Sequence, residues 1–339
     1  MEDGTQQRDL GIFSLAALLV SAHYGLGFLL GTGEKAFTLG TAGCLYAVSV
    51  ALGTLALLFI GKFYWQQTDP LWTLLGNRYG QQAKVLIGTM SWSALIGVGA
   101  VQTIAGAFIL KVLGVPVVPA MVGLTLAAAI LSALPLQRAG IVFRSLLLFN
   151  VVVLLYGLWA LGGLGTYFHA PLEFAPQTID RIDSTAIVTV SLLTIIQGLL
   201  DVKYQQFIVR AKTLRSLYLG ILLAGGIFLL LAFVPSTAIA AAQAADILPP
   251  HLTGKEAIPY ILAWLGGGKD KPLGILLVLA LVVPALGVGS SVLRMQAKAV
   301  QDFNLFAETP RPRLVITAVN AILGLLVALQ GGTIVNLLV

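Results

Sequence analysis

The chain has little charge and almost no cysteine. Of its 339 residues only 10% are charged, while 58% are hydrophobic. A soluble domain carries about 25% charged residues, and no soluble fold can bury so much apolar surface. Cys44 is the only cysteine, which excludes an intrachain disulfide and a cysteine metal cluster. The three histidines, His23, His169 and His251, are dispersed without metal-ligand spacing. No zinc signature, nucleophile motif or Gly-rich phosphate loop stands out. The stretch GTGEK at 31–35 lacks the GK[ST] ending of such a loop. An enzyme is therefore the weakest reading. The segments of about ten alternating residues that build a membrane barrel are missing too. The acidic, polar start MEDGTQQRDL lacks the basic region of a signal peptide.

What is present is long apolar stretches of helical length, which define an all-α integral membrane protein. Nine full spans are expected, at approximately 10–32, 39–61, 85–110, 116–134, 139–163, 185–202, 217–241, 273–298 and 313–329. The final GGTIVNLLV reads as the start of a truncated tenth. Between the second and third spans, Phe63–Gln81 is too polar to cross and reads as an amphipathic surface helix. Thr166–Ser184, with Pro171 and Pro176, reads as a polar loop. HLTGKEAIPYILAWL, within the loop Ala242–Lys271, reads as a short helix over the outer face.

Lysine and arginine set the expected orientation. Fourteen of the twenty fall on the side of the amino terminus and of the loops after spans two, four, six and eight, and six on the other. The amino terminus is then cytoplasmic, in a multi-pass protein of the plasma (inner) membrane. The net charge of +6 follows from this topology and does not point to nucleic acid. The expected partners are membrane lipids, a small-molecule solute, and a possible partner subunit or second copy.

Two stretches are unusual. Ser191–Ser216 begins as an apolar segment, is interrupted at Gln197-Gly198, gains Asp201, and leaves through Lys203, Arg210, Lys212 and Arg215. Polar or irregular backbone at membrane depth needs protein or a watery cavity around it. The first span holds Gly25, Gly27, Gly31 and Gly33 just after Ser21, His23 and Tyr24. Such a run can unwind cheaply, or it can serve close helix packing. Two interrupted helices five spans apart suit a five-plus-five inverted repeat, with a substrate site at midplane. The repeats would cover about 10–163 and about 185–339 of a single domain, the second incomplete.

At this point the chain resembles the sodium/solute symporter family, of LeuT-type fold, over approximately residues 8–339. Gln206, Ala211 and Lys212 match the family's Gln-Arg-x-Leu-x-Ala-Lys after the broken sixth core helix, with Phe207 in place of the arginine. FLLGTGEKAFTLG, TDPLWTLLGNRYG and Ser290–Phe303 resemble, in order, the end of the first core helix, the segment after the second, and the end of the eighth. The resemblance implies a LeuT-like inverted-repeat helical bundle and secondary transport of a small polar solute by alternating access. It implies no cofactor, with Na+ as a possible coupling ion.

The departures bear on coupling. Aligned on Asp302, the family's sodium-binding hydroxyl pair on the eighth helix falls on Leu286 and Gly287. A shifted register would bring Ser290 and Ser291, with carbonyls near Ser21 and Tyr24. Arg144 on the fifth span could stand in for the cation, or could be a cytoplasmic anchor snorkelling to phosphate. For the solute, the candidates are His23, Gly25, Phe28, Gln102, Thr194, Gln197, Gly198 and Asp201, with Thr103 beside Gln102. The aromatic positions of the sugar-transporting branch fall on Gln197 and Gly198, which argues against a sugar. Three forms stay open: sodium symport, sodium-independent transport (proton-coupled or uncoupled), and a non-transporting ligand-sensing or accessory subunit of the same fold.

Overall fold

The computed structural model describes residues 8–67, 71–133, 136–302, 310–331 and 334. The described residues form helices and no strand. In order these are α1 (Ile12–His23), α2 (Leu26–Leu39), a 3₁₀ turn (Gly40–Cys44), α3 (Leu45–Gln66), α4 (Leu71–Tyr79) and α5 (Gln81–Val112). Then follow α6 (Val117–Ser132), α7 (Leu136–Ala160), α8 (Leu164–Arg181), α9 (Ser184–Leu200) and α10 (Val202–Ile208). The chain continues with α11 (Leu214–Ala232), α12 (Val234–Ala244), α13 (Gly254–Leu265), α14 (Pro272–Asp302) and α15 (Pro310–Gln330).

The nine apolar stretches expected as full spans are helical over most of their described residues. Among the described residues five helical stretches are long and apolar enough to cross a membrane by themselves, namely Leu26–Gln66, Gln81–Val112, Leu214–Ala244, Pro272–Gln301 and Arg313–Gln330. Val151–Ala160 and Leu164–Arg181, bent by 104°, make a sixth if taken as one span. Ile12–His23, Val117–Ser132 and Ser184–Leu200 are shorter apolar helices. This is a multi-pass membrane protein. Most of the expected tenth span lies outside the described residues.

Small residues set the helix spacing. Gly53 on α3 lies against the backbone of α9, where an added Cβ would stand 3.2 Å from Ile195 Cα and 3.3 Å from the Thr194 carbonyl. Gly198 makes the reciprocal approach, 3.3 Å from Gly53 C. Gly220 on α11 receives Leu15 of α1, and Gly225 receives Leu55 of α3. Lipid tails are as apolar as Leu, so close van der Waals packing of this kind is what holds membrane helices together. Leu15, Leu19, Leu30, Leu57, Ile221 and Phe228 fill the core that results.

The ends are tied by polar contacts. Leu10 N–H donates to the Arg210 carbonyl and Lys212 N–H to the Leu10 carbonyl, both at 3.0 Å. Arg210 grips Asp9 at 3.0 and 2.6 Å, which holds the Asp9 carboxyl below the usual carboxylate range. Arg8 lies 3.8 Å over the Trp65 ring, and Trp65 Nε1 donates to the Ala211 carbonyl at 2.7 Å. Across the bundle, Thr253 and Glu256 form a capping box at the start of α13, and Lys111 pairs with Glu256 at 2.7 Å.

Two sequence expectations are corrected. The stretch 166–184 is almost entirely helical, since α8 runs to Arg181 through both prolines. Its far end is fixed by tertiary bonds. Gln177 accepts from Thr41 N–H at 3.1 Å, and Arg181 donates to the Leu39 carbonyl at 3.2 Å. Of the four glycines in the first span only Gly25 stands at a break, as the N-cap of α2. Gly27, Gly31 and Gly33 are helical and buried, and Gly33 faces Ile258 and Ile239.

Gly53→Val is expected to cost about 1–3 kcal/mol by overpacking against backbone that cannot yield, read as a lower melting temperature in detergent. Gly226→Ala, with nothing within 4 Å, should not lower it. A second expectation concerns pH. Burial pushes the Glu256 carboxyl up, but the hydrogen bonds from Lys111 and Thr253 outweigh it and hold the group below its ordinary 4.5. Its contribution is therefore complete above about pH 4.5 and is lost as pH falls through the lower folded value. Melting curves on the acid side should show that loss in the parent and a smaller one in Glu256→Gln.

Candidate functional site

The two helix breaks meet. α1 ends at His23, Tyr24 makes a tight turn with φ −71° and ψ 77°, and Gly25, extended at φ −121° and ψ −174°, leads into α2. α9 ends at Leu200, and Asp201 turns the chain with φ −70° and ψ 115° before α10 begins. Sequence reading put the sixth-span interruption at Gln197-Gly198. The structure puts it at Asp201, because Gly198 is spent on close packing against Gly53 and stays helical.

A break at membrane depth strands backbone groups that need partners. Leu26 N–H, at the start of α2, donates to Gln102 Oε1 of α5 at 3.3 Å. The Leu199 carbonyl, at the end of α9, accepts from the Tyr64 hydroxyl at 2.9 Å. Lys203 N–H, at the start of α10, donates to Asp201 Oδ1 at 2.8 Å. Gln102, Tyr64 and Asp201 thus make the irregular backbone tolerable.

An ion cluster sits between the breaks. His23 Nε2 lies 3.2 Å from Asp201 Oδ2, and Lys203 Nζ lies 3.1 Å from the same oxygen. Lys203 is buried and His23 and Asp201 are nearly so, with side-chain exposures of 7%, 11% and 8%. The contact requires the His23 proton on Nε2, so Nδ1 is an acceptor, and it has no hydrogen-bond partner among the described residues. The imidazole stacks on Tyr204, with centroids 4.4 Å apart. The Tyr204 hydroxyl shares a 2.9 Å hydrogen bond with Thr54 of α3. Beside the cluster is a cavity of about 200 Å³ between α5 and the α9–α10 break. Gln197, Asp201, Lys203 and Ser91 give it polar walls, and Met90, Leu95 and Met295 apolar ones.

The structure gathers some expected site residues and disperses others. His23 and Asp201 meet, Gln197 lines the cavity, and Gly25 lies against Gln102 and Val288. Thr194 is buried on α9, with no hydrogen-bond partner for its hydroxyl among the described residues. Gly198 faces Gly53. Phe28 is core, in ring contact with Tyr24 at 5.6 Å and Phe228 at 5.5 Å. Thr103 lines a separate small cavity with Asn320 and Gln296. Ser21 donates to the Leu18 carbonyl at 2.9 Å. Ser290 donates to the Gly287 carbonyl at 3.0 Å and accepts from Arg294 at 3.3 Å. Ser291 is half-buried on α14. The Arg144 side chain lies outside the described residues.

Lys203, Tyr204 and Thr54 were missed. The sequence tally placed Lys203 among the inner-loop cations, but the turn at Asp201 folds α10 back into the protein and buries it. The legible signal was Asp-x-Lys at the end of an apolar run, an N-cap acid with a cation two residues on. Among the described residues no group of three or more His, Cys, Asp or Glu could hold a metal ion.

The fold and site define a class: a helical multi-pass membrane protein with two broken helices joined at a buried ion cluster. No family model matches the chain, and no curated protein matches it. Among solved structures it is similar to a Na+-coupled sialic acid symporter in its substrate-bound outward-open state, with TM-score 0.69 and 15% identity. That likeness covers 95% of this chain and 73% of the symporter's. At this identity the likeness shows a shared fold.

Removing one partner of a buried pair leaves an uncompensated charge and costs about 3–5 kcal/mol. Lys203→Met should therefore strongly lower the melting temperature. Lys203→Met combined with Asp201→Asn should recover much of the loss, a double-mutant cycle read by thermal unfolding.

Proposed function

We propose that this chain is a secondary transporter that moves a small polar solute by alternating access about its two broken helices. The observation that carries the reading is the meeting of both breaks at one buried ion cluster beside a cavity. Discontinuous helices of this kind build substrate sites at the interface of repeats. The shared fold with a sodium-coupled symporter supports the same reading. In it the chain is a LeuT-type inverted repeat of nine spans and the start of a tenth, with repeats at about 10–163 and 185–339. The amino terminus is cytoplasmic in the plasma membrane.

Sodium-independent coupling is favoured over sodium symport. A sodium ion would need the Ser290 hydroxyl as a ligand, yet Arg294 already donates to it at 3.3 Å. A fixed guanidinium there repels a second cation. The solute is contacted by Gln197, Asp201 and Lys203, with His23 behind them.

The test is sidedness. Cys44 is buried, so Gln197→Cys supplies a single reactive thiol in the cavity. In oriented vesicles an impermeant thiol reagent should reach it from either face. Proteoliposomes given a cell metabolite extract should accumulate one chemical class, and Asp201→Asn proteoliposomes should not. Labelling from one face only, with no accumulation, would replace the transporter by a ligand-sensing or accessory subunit.

A further inference from the structure

The Asp201 carboxylate has three donors for two oxygens. Oδ1 takes the Lys203 N–H at 2.8 Å. Oδ2 takes both His23 Nε2 at 3.2 Å and Lys203 Nζ at 3.1 Å. The ammonium can therefore turn away while Asp201 keeps two donors. Asp201, already so engaged, has little left for a solute cation. Asp201 and Lys203 both line the 200 Å³ cavity, which has room for about seven waters at ~30 Å³ each. Building on the transporter reading above, we propose that this cavity binds a small monocarboxylate through the Lys203 ammonium, together with one proton taken up at His23 Nδ1.

Charge balance requires the pairing. Ionised Asp201, ammonium Lys203 and neutral His23 sum to zero. A carboxylate entering alone would leave one buried negative charge without compensation. A proton entering alone would set an imidazolium beside an ammonium on one oxygen. Together they cancel, giving two anions and two cations. The proton adds to the Nδ1 lone pair, the Nε2–H stays on Asp201, and only the Lys203–Asp201 contact is exchanged for Lys203–carboxylate. His23 sits in the last turn of α1, where the helix carbonyls favour a cation. Proton and carboxylate then raise each other's affinity by the same factor.

Among the described side chains the surroundings add no competing charge. Around His23 stand Asp201, Lys203 and the stacked Tyr204 at the second break, with Tyr24 next in the chain. Tyr46 and Tyr64 of α3 lie in the field of Asp201. Phenols of this kind are neutral over the working range. On α11, Arg215 and Tyr218 are exposed. On α7, Tyr156 is 54% exposed.

The experiment uses the full chain in detergent, free of sodium. Choline salts of glycolate, lactate and pyruvate are titrated against neutral lactamide between about pH 5 and 8, the range over which histidine changes charge. A carboxylate should bind about tenfold tighter per pH unit of acidification. A pH dye in weak buffer should record one proton taken up per carboxylate bound. Lys203→Gln should abolish binding, Lys203→Arg should retain it, and His23→Gln should leave weak binding that ignores pH. If Lys203→Gln does not fold, the proton count on the parent protein decides. Carboxylates no better than lactamide, binding indifferent to pH, or binding that needs sodium would each overturn the proposal. Sodium-driven uptake that ignores these variants would refute it and leave the transporter standing. Proton-linked carboxylate binding with one-sided labelling of Gln197→Cys would do the reverse.

Discussion

One carboxylate inside the helical bundle organises this protein. Asp201 sits where α9 stops, and a buried charge there is tolerable only with partners. It finds them on both broken spans, the His23 imidazole at the end of α1 and the Lys203 ammonium at the start of α10. The contact ties two segments 178 residues apart in sequence, counting from His23 to Asp201. It also sets the local conformation, because the same side chain caps α10 through the Lys203 N–H. Position, charge balance and helix geometry are thus one constraint.

The packing around the cluster makes that constraint possible. Gly53 and Gly198 let α3 and α9 approach backbone to backbone. This brings Tyr64 to the Leu199 carbonyl and Thr54 to Tyr204. On the other side α5 supplies Gln102 to the stranded Leu26 N–H. Glycine contacts and polar contacts therefore serve the same two breaks. The tie of Leu10 to Arg210 and Lys212 joins the start of α1 to the chain just beyond α10. Each broken span is held near its break and again at its end.

Much of this was legible from composition. Low charge and long apolar runs dictate membrane helices, because only helices and closed barrels satisfy the backbone in lipid and the alternating pattern of a barrel is missing. The first interrupted span was visible as a glycine run after His23; the second was expected to break at Gln197-Gly198 and breaks three residues on, at Asp201. The amphipathic α4 and the short α13 also followed from local pattern. Helix α8 did not, since Pro171 and Pro176 argue locally for a loop. It is held by Gln177 and Arg181 on the turn at residues 40–44, contacts that no local window contains.

The site shows the same division. Asp201 and His23 stood out as ionisable groups inside apolar runs, because composition alone makes them expensive. Whether Lys203 belonged to the site or to the inner loops depended on the direction of the turn at Asp201, and that turn is set by tertiary partners. Gln102, Gly198 and Phe28 were reasonable solute contacts by position, yet packing turned them toward backbone, helix and core. The sequence by itself determined the solvent this protein folds in and where its helices are costly to continue. Only the tertiary structure decided which polar groups meet, because partner choice at membrane depth rests on distances between segments far apart in the chain.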